Sequence, residues 1–296
     1  MPLPASDAAP GIEPLAGLAG LAARYDALLC DVWGVIHNGV AVHRAAVEAL
    51  ARWREGGGAV CLLTNSPRRN RGVAEQLAQL GAPRESFDAI VTSGDVTRRL
   101  IVEAGETVFH LGPERDRPLF EGLNVRLTAL DEAQAIVSTG LFDDETETPD
   151  DYRSMLGEAV ARGLPFVCAN PDIVVERGDR LIWCAGALAR LHEELGGTVR
   201  MAGKPHAPIY DLAMERLAEL RPGLARDRVL AIGDGLPTDV KGANDNGFDL
   251  LFIAGGIHAA EYARVGRHDG ERLNAFLSGN GAAAAHWAPM LEWGGS

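Results

Sequence analysis

The chain has few of the residues that would point to several large classes of protein. It holds only four cysteines in 296 residues, at Cys30, Cys61, Cys168 and Cys184, and no two are spaced as Cys-x-x-Cys. Three of the four sit inside apolar runs. They read as buried, reduced thiols, and neither a disulfide framework nor a zinc site is expected. Basic charge is short: 28 Lys and Arg face 41 Asp and Glu, a formal net charge of −13. The arginines are scattered apart from Arg68, Arg69 and Arg71, so an extended nucleic-acid surface is excluded. No apolar run is long enough to span a bilayer. The Gly/Ala/Leu-rich stretch at 10–23 lacks a basic leader and contains Glu13 and Pro14, which reads as a helical or loose lead-in and not as a signal peptide. No internal repeat is present. A cytoplasmic protein without membrane or nucleic-acid partners is the expectation, and its hydrophobic content of 47% is ordinary for a globular domain.

What is present is a regular alternation of short apolar strands and amphipathic helices. Ala27–Asp31, Ala59–Leu63 and Ala89–Thr92 read as strands, with helices over Val42–Glu55 and up to Leu80 between them. A second block begins near Glu106, with strands at Val108–Leu111, Ala135–Thr139 and Pro165–Ala169 and helices over Tyr152–Arg162 and Ala187–Leu195. The first pattern then resumes with Arg200–Ala202, a helix over Pro208–Glu219, strands at Val229–Ile232 and Leu250–Ala254, and a short helix over Asp239–Asn246 between those two strands. Repeated βα units of this length predict an α/β fold, a doubly wound parallel sheet covered by helices on both faces. The Gly/Ala-rich tail at 278–296 carries Trp287 and Trp293, which predicts docking through the indoles or partial mobility, and its aromatics leave a homodimer open.

Several strands end in chemically useful residues. Asp31 closes the first, Thr64 the second and Asp234 a later one; Lys204 lies just past another, and Asp239 one turn beyond Asp234. A parallel sheet brings its strand ends to one edge, where open α/β sheets carry their sites. The residue types suit phosphoryl transfer. A carboxylate can attack phosphorus, a hydroxyl and an amide can hold phosphoryl oxygens, and an ammonium can balance developing charge. Further carboxylates make an oxygen-only site suited to Mg²⁺. Each piece also has a plainer reading. Thr64-Asn65-Ser66-Pro67 reads as the N-cap and first turn of the next helix, Asn170-Pro171-Asp172 as a turn, and Asp143-Asp144-Glu145 as a surface loop. The arginines at 68, 69 and 71 read as a solvated helix face.

Taken in order, Asp31-x-Trp33-Gly34-Val35, Leu63-Thr64-Asn65-Ser66, Gly203-Lys204-Pro205 and Gly233-Asp234-Gly235-x-x-x-Asp239 resemble the four motifs of the haloacid dehalogenase (HAD) superfamily. The long stretch between Thr64 and Lys204, with Asn170-Pro171-Asp172 late in it, resembles the class IIA, NagD-like members. The resemblance covers roughly 25–260 and implies a Rossmann-like core at 1–100 and 196–296, with an α/β cap inserted at 101–195. It implies a Mg²⁺-dependent phosphatase of a small phosphorylated metabolite, working through an aspartyl-phosphate. Asp31 would be the nucleophile, with Thr64 and the Asn65 amide on the phosphoryl group and Lys204 bridging it to Asp31. Asp31, Asp234, Asp239 and the backbone carbonyl of Trp33 would ligate the metal, and Asn170 and Asp172 would reach substrate from the cap.

One residue departs from the pattern. The family's phosphatases carry a second aspartate two residues after the nucleophile, to protonate the leaving group and then activate water; here that residue is Trp33. An indole N–H is a donor only. Either another group supplies the proton, with His37 the nearest titratable residue, or the leaving group needs none, or turnover is slow. The alternative reading is therefore a phosphometabolite-binding protein with little or no catalysis. A metal-free dehalogenase, which also carries an aromatic residue here, is disfavoured by the retained Asp234 and Asp239.

Overall fold

The computed structural model describes residues 14–264, 267–268 and 270–294. Residues 10–13 of the Gly/Ala/Leu-rich lead-in lie outside the described residues. Its strands, in chain order, are β1 (Ala27–Cys30), β2 (Ala59–Thr64), β3 (Ala89–Thr92), β4 (Thr107–Leu111), β5 (Arg126–Leu127), β6 (Ala135–Ser138) and β7 (Phe166–Cys168). They continue as β8 (Val174–Arg177), β9 (Arg180–Trp183), β10 (Val199–Met201), β11 (Val229–Gly233), β12 (Asp249–Ile253), a ribbon of β13 (Ala263–Arg264) and β14 (Arg267–His268), and β15 (His286–Ala288).

Six strands form one parallel sheet in the order β15-β12-β11-β1-β2-β3. Burial on both faces explains why these strands read as continuous apolar runs. Leu28 and Cys30 of β1, with Val60 and Leu62 of β2, pack into one apolar cluster, where the helix Arg44–Glu55 buries Val47, Leu50 and Trp53. Ala27 and Leu29, with Cys61 and Leu63, pack on the opposite face against Ile209, Tyr210 and Leu217 of the helix Ala207–Leu220. The order of strands reverses beside β1, so the loops after β1, β2 and β11 open at one edge. A second parallel sheet, β10-β7-β6-β4-β5, has its own two-sided core: Ile136 and Phe166 on one face, Val137 and Val167 on the other.

The alternating α/β reading holds, and the exceptions have physical causes. The helix after β2 starts at Asn70, five residues beyond Asn65, with Arg69 as an N-cap that makes no side-chain capping bond. Thr64-Asn65-Ser66-Pro67 is thus not that helix's first turn but a separate loop. The segment expected as a helix from Asp239 opens as a π-helical turn, Leu236–Val240, and is α-helical only over Lys241–Asp245. Ser93–Ala104 forms a helix that the sequence reading passed over, capped by the Thr92 hydroxyl accepting from the Asp95 N–H at 2.9 Å. The tail does dock: β15 pairs with β12, Trp287 is buried, and the Leu15 N–H donates to the Trp287 carbonyl. Trp287 is therefore spent inside the fold. All four cysteines are buried and free. Among the described residues, no helix is long and apolar enough to cross a membrane.

Candidate active site

Asp31 sits one residue past β1, its N–H donating to the Ile232 carbonyl at 2.8 Å, which carries the β1–β11 ladder one step further. The chain then turns at Gly34, whose φ is +87° and whose missing side chain leaves room for the Asp234 carboxylate; a Cβ there would collide with it. Gly256, in the loop after β12, likewise has no side chain to overlap Asp234, and the next residue, Ile257, donates its N–H to Asp234 Oδ2 at 2.9 Å. Asp239 lies within the π-helical turn, where its Oδ2 accepts from the Gly235 N–H at 3.0 Å.

The three carboxylates converge. One oxygen each from Asp31, Asp234 and Asp239 can be chosen so that all lie within 4.8 Å of one another, and all three residues are buried. Lys204 enters between two of them, with Nζ 2.5 Å from Asp31 Oδ1 and 2.7 Å from Asp239 Oδ1. Burial penalises the ammonium, yet Asp239 and Asp31 outweigh that and hold its pKa well above the usual lysine range. Three carboxylates against one ammonium leave two negative charges, the amount a divalent cation cancels. The cost of that excess is visible in the acids. Burial, reinforced by Asp239, pushes Asp234 up to about 7, and burial raises Asp31 against the pull of Lys204. An oxygen-only donor set with surplus negative charge fits Mg²⁺ or Ca²⁺ chemistry.

Asn65 holds three segments together. Its Oδ1 accepts from the Lys204 N–H at 2.7 Å, while its Nδ2 donates to Asp172 Oδ1 at 2.9 Å and to the Lys204 carbonyl at 3.2 Å. Gly203 permits this approach, since a Cβ there would run into Asn65 and Ser93. The Thr64 hydroxyl accepts from the Ser66 N–H at 3.2 Å. Asn170 Oδ1 accepts from the Asp172 N–H at 3.2 Å and so shapes the turn that presents Asp172.

Two cavities meet here. One, of about 400 Å³, is lined by Asp31, Asn65, Lys204, Asp234 and Asp239. The other, of about 320 Å³, is lined by Asn170 with Arg68, Arg115, Arg177 and Trp183. Trp33, Thr64, Asp172 and Val175 line both. The two residues expected to reach substrate therefore stand apart: Asp172 borders the carboxylate cavity, and Asn170 only its neighbour.

Trp33 itself faces the hairpin β8–β9, its Nε1 donating to the Glu176 carbonyl. His37 packs edge-on against the indole with ring centroids 4.8 Å apart, is 2% exposed, and accepts the Gly39 N–H on Nδ1 at 2.9 Å. Burial, aided by His43, lowers its pKa to about 4. It borders the second cavity and not the one holding Asp31, so it is not placed to stand in for the missing acid.

The sequence reading missed several residues at the site. His258 lines the carboxylate cavity, its Nδ1 2.7 Å from Glu261 Oε1. The acidic loop at 143–145 is not a plain solvated loop. Asp144 pairs with Arg115 and Arg177, and Glu145 with Arg177 and Arg180, which ties that loop to the hairpin. Arg68 also leaves the solvated face assigned to it and lies 3.5 Å from the buried Asp116.

Comparison with known proteins agrees with this arrangement. A family model described as haloacid dehalogenase-like hydrolase matches residues 28–126, and a second, HAD-hydrolase-like model matches 201–272. A hydrolase of the haloacid dehalogenase-like family from Brucella suis 1330 is 49% identical over 93% of this chain and 98% of its own, with a TM-score of 0.84. The chain belongs to the haloacid dehalogenase-like hydrolases. Among its relatives is the D-glycerol 3-phosphate phosphatase of Mycobacterium tuberculosis, 27% identical over 82% of this chain and 67% of that protein. The structure of a glycerol phosphate phosphatase from the same organism in complex with magnesium is 26% identical, covers 86% of this chain and 78% of that one, and has a TM-score of 0.63.

Proposed function

We propose that this protein is a Mg²⁺-dependent phosphatase that hydrolyses a small phosphorylated metabolite through an aspartyl-phosphate on Asp31. The observation that carries the reading is the convergence of Asp31, Asp234 and Asp239 around Lys204, with two negative charges left over. In this reading Asp31 attacks phosphorus, while Thr64 and the Asn65 main-chain amide hold the phosphoryl oxygens. Lys204 neutralises charge as the in-line transition state forms. Asp31, Asp234, Asp239 and the Trp33 carbonyl would hold Mg²⁺, which supplies electrostatic stabilisation of the phosphoryl oxygens. The magnesium complex of a relative supports that choice of ion.

The sheet β10-β7-β6-β4-β5 and its helices are proposed as the cap, and the six-stranded sheet as the catalytic core. The pairing of β10 with β7 favours a return to the core just after Met201. Asn170 and Asp172, on the turn after β7, would face substrate from that cap. The substrate would place its phosphoryl group in the carboxylate cavity and its organic part in the neighbouring one.

Phosphate release from a panel of phosphorylated metabolites, with and without Mg²⁺, tests this against Asp31→Asn. Metal-dependent release that the substitution abolishes is expected. Tight ester binding without release would instead make the protein a phosphometabolite-binding module.

A further inference from the structure

Trp33 takes the position of the proton donor, and its only ring donor is already given to the Glu176 carbonyl. A phosphate ester held as proposed above has its phosphoryl end at Asp31 and its organic part in the second cavity. The bridging oxygen, where the P–O bond breaks, then lies where the two cavities meet. Four residues line that junction: Trp33, Thr64, Val175 and Asp172. Of these, only Asp172 carries a side chain with an acidic proton to give and take back. Its Oδ1 accepts from Asn65 Nδ2, which fixes the carboxyl next to the phosphate-binding loop and leaves Oδ2 with no donor among the described residues.

We infer that Asp172, presented from the turn after β7, is the general acid and base that replaces the aspartate lost at position 33. This inference rests on the phosphatase reading. In the first step the Asp31 carboxylate forms a bond to phosphorus, the bond to the leaving oxygen breaks, and that oxygen takes the proton of the Asp172 carboxyl. In the second, water adds to phosphorus and passes its proton to the Asp172 carboxylate. The Asp31–phosphorus bond breaks, returning Asp31 as a carboxylate and releasing phosphate. The environment suits a group that must start protonated. Burial raises the Asp172 pKa, and the Lys204 charge and the Asn65 hydrogen bond only partly oppose it.

His258 is the competing proton donor, since it lines the carboxylate cavity with Glu261 behind it. It does not border the second cavity, so it stands on one side of the junction only.

The test is a series of substituted phenyl phosphates of decreasing leaving-group acidity, with wild type, Asp172→Asn, Asp172→Glu and His258→Gln. Asp172→Asn keeps the size of the side chain and an acceptor for Asn65. It is expected to lose about 10²-fold or more on phenyl phosphate, within the usual worth of general acid catalysis. With p-nitrophenyl phosphate, which needs no proton, it should release one equivalent of nitrophenolate per site in a burst and then turn over slowly, because water activation is also lost. Asp172→Glu, which retains a carboxyl, should recover part of the phenyl phosphate rate, and His258→Gln should leave the leaving-group dependence at the wild-type slope. A first-turnover rate lowered by the same factor for every ester in Asp172→Asn, or a steeper slope in His258→Gln instead, overturns the assignment while the phosphatase reading stands. No release by wild type from any ester removes both.

Discussion

The indole Nε1 of Trp33 donates to the main-chain carbonyl of Glu176, joining the loop after β1 to the hairpin β8–β9 across the mouth of the site. A second bond in the same place runs from the Gly178 N–H to the Asn38 carbonyl at 3.1 Å. Trp33 thus ties the hairpin β8–β9 to the loop that carries Asp31. Gly39, with φ at +82°, leaves the space that the indole occupies.

Trp33→Phe keeps an aromatic ring and removes the donor. The loss of one hydrogen bond, about 1 kcal/mol, should speed amide exchange in the hairpin about five-fold. Exchange in β1 and β11 should not change. Hydrogen–deuterium exchange across residues 174–183 reads this directly.

Asp144→Ala removes the carboxylate shared by the exposed Arg115 and the part-buried Arg177, leaving both guanidinium groups without it. Charge-assisted hydrogen bonds of this kind put the loss at about 1–3 kcal/mol in urea unfolding. Asp144→Asn, which keeps an acceptor, should lose less. Any phosphatase activity should show a raised KM before a lowered kcat, since the pair supports the cavity and not the reacting atoms.

Stability should fall on mild acidification. Burial holds both His37 and His110 neutral, with pKa values near 4, below the value of about 6.5 for an unfolded histidine. A depressed histidine leaves stability complete above the unfolded pKa. Below it the unfolded chain takes up protons that the folded one refuses, so stability is lost between about pH 6.5 and 4. The total is on the order of a few kcal/mol, with His110 giving the smaller share because its ring is part-exposed. Urea midpoints at several pH values should show the decline, and His110→Gln should flatten part of it.

Adding Mg²⁺ should raise the melting temperature of the wild type, by an amount that grows with the logarithm of concentration. At a hundred times Kd the gain is about 2.7 kcal/mol. Asp234→Asn should abolish most of the shift without lowering the metal-free melting temperature, since it removes one of the crowded buried charges. An unchanged response to Mg²⁺ in that variant would place the ion elsewhere.

The convergence of the candidate residues was legible because strand ends in a parallel sheet meet at one edge. Asp31, Thr64 and Asp234 each close an apolar run beside glycine or a polar turn, and the fold then supplies the distance. The hairpin β8–β9 was not legible. Val174–Arg177 and Arg180–Trp183 mix charged and apolar residues, and only Ile182 among them is buried, too little to impose a pattern. The edge strand β15 was hidden in a Gly/Ala-rich tail, and its register shows only in its pairing with β12. Nor could the sequence tell that Asp144 and Arg177 meet, or that Asp172 borders two cavities, because both depend on how the hairpin folds back toward Trp33.

In the proposed reaction Asp31 carries the phosphoryl group. Rapid acid quench during turnover, followed by borohydride reduction and peptide mass analysis, converts an aspartyl-phosphate to homoserine at the residue that bore it. Homoserine at position 31, dependent on both ester and Mg²⁺, is the expected result. Phosphate release with residue 31 unmodified, or undiminished release by Asp31→Asn, would contradict it.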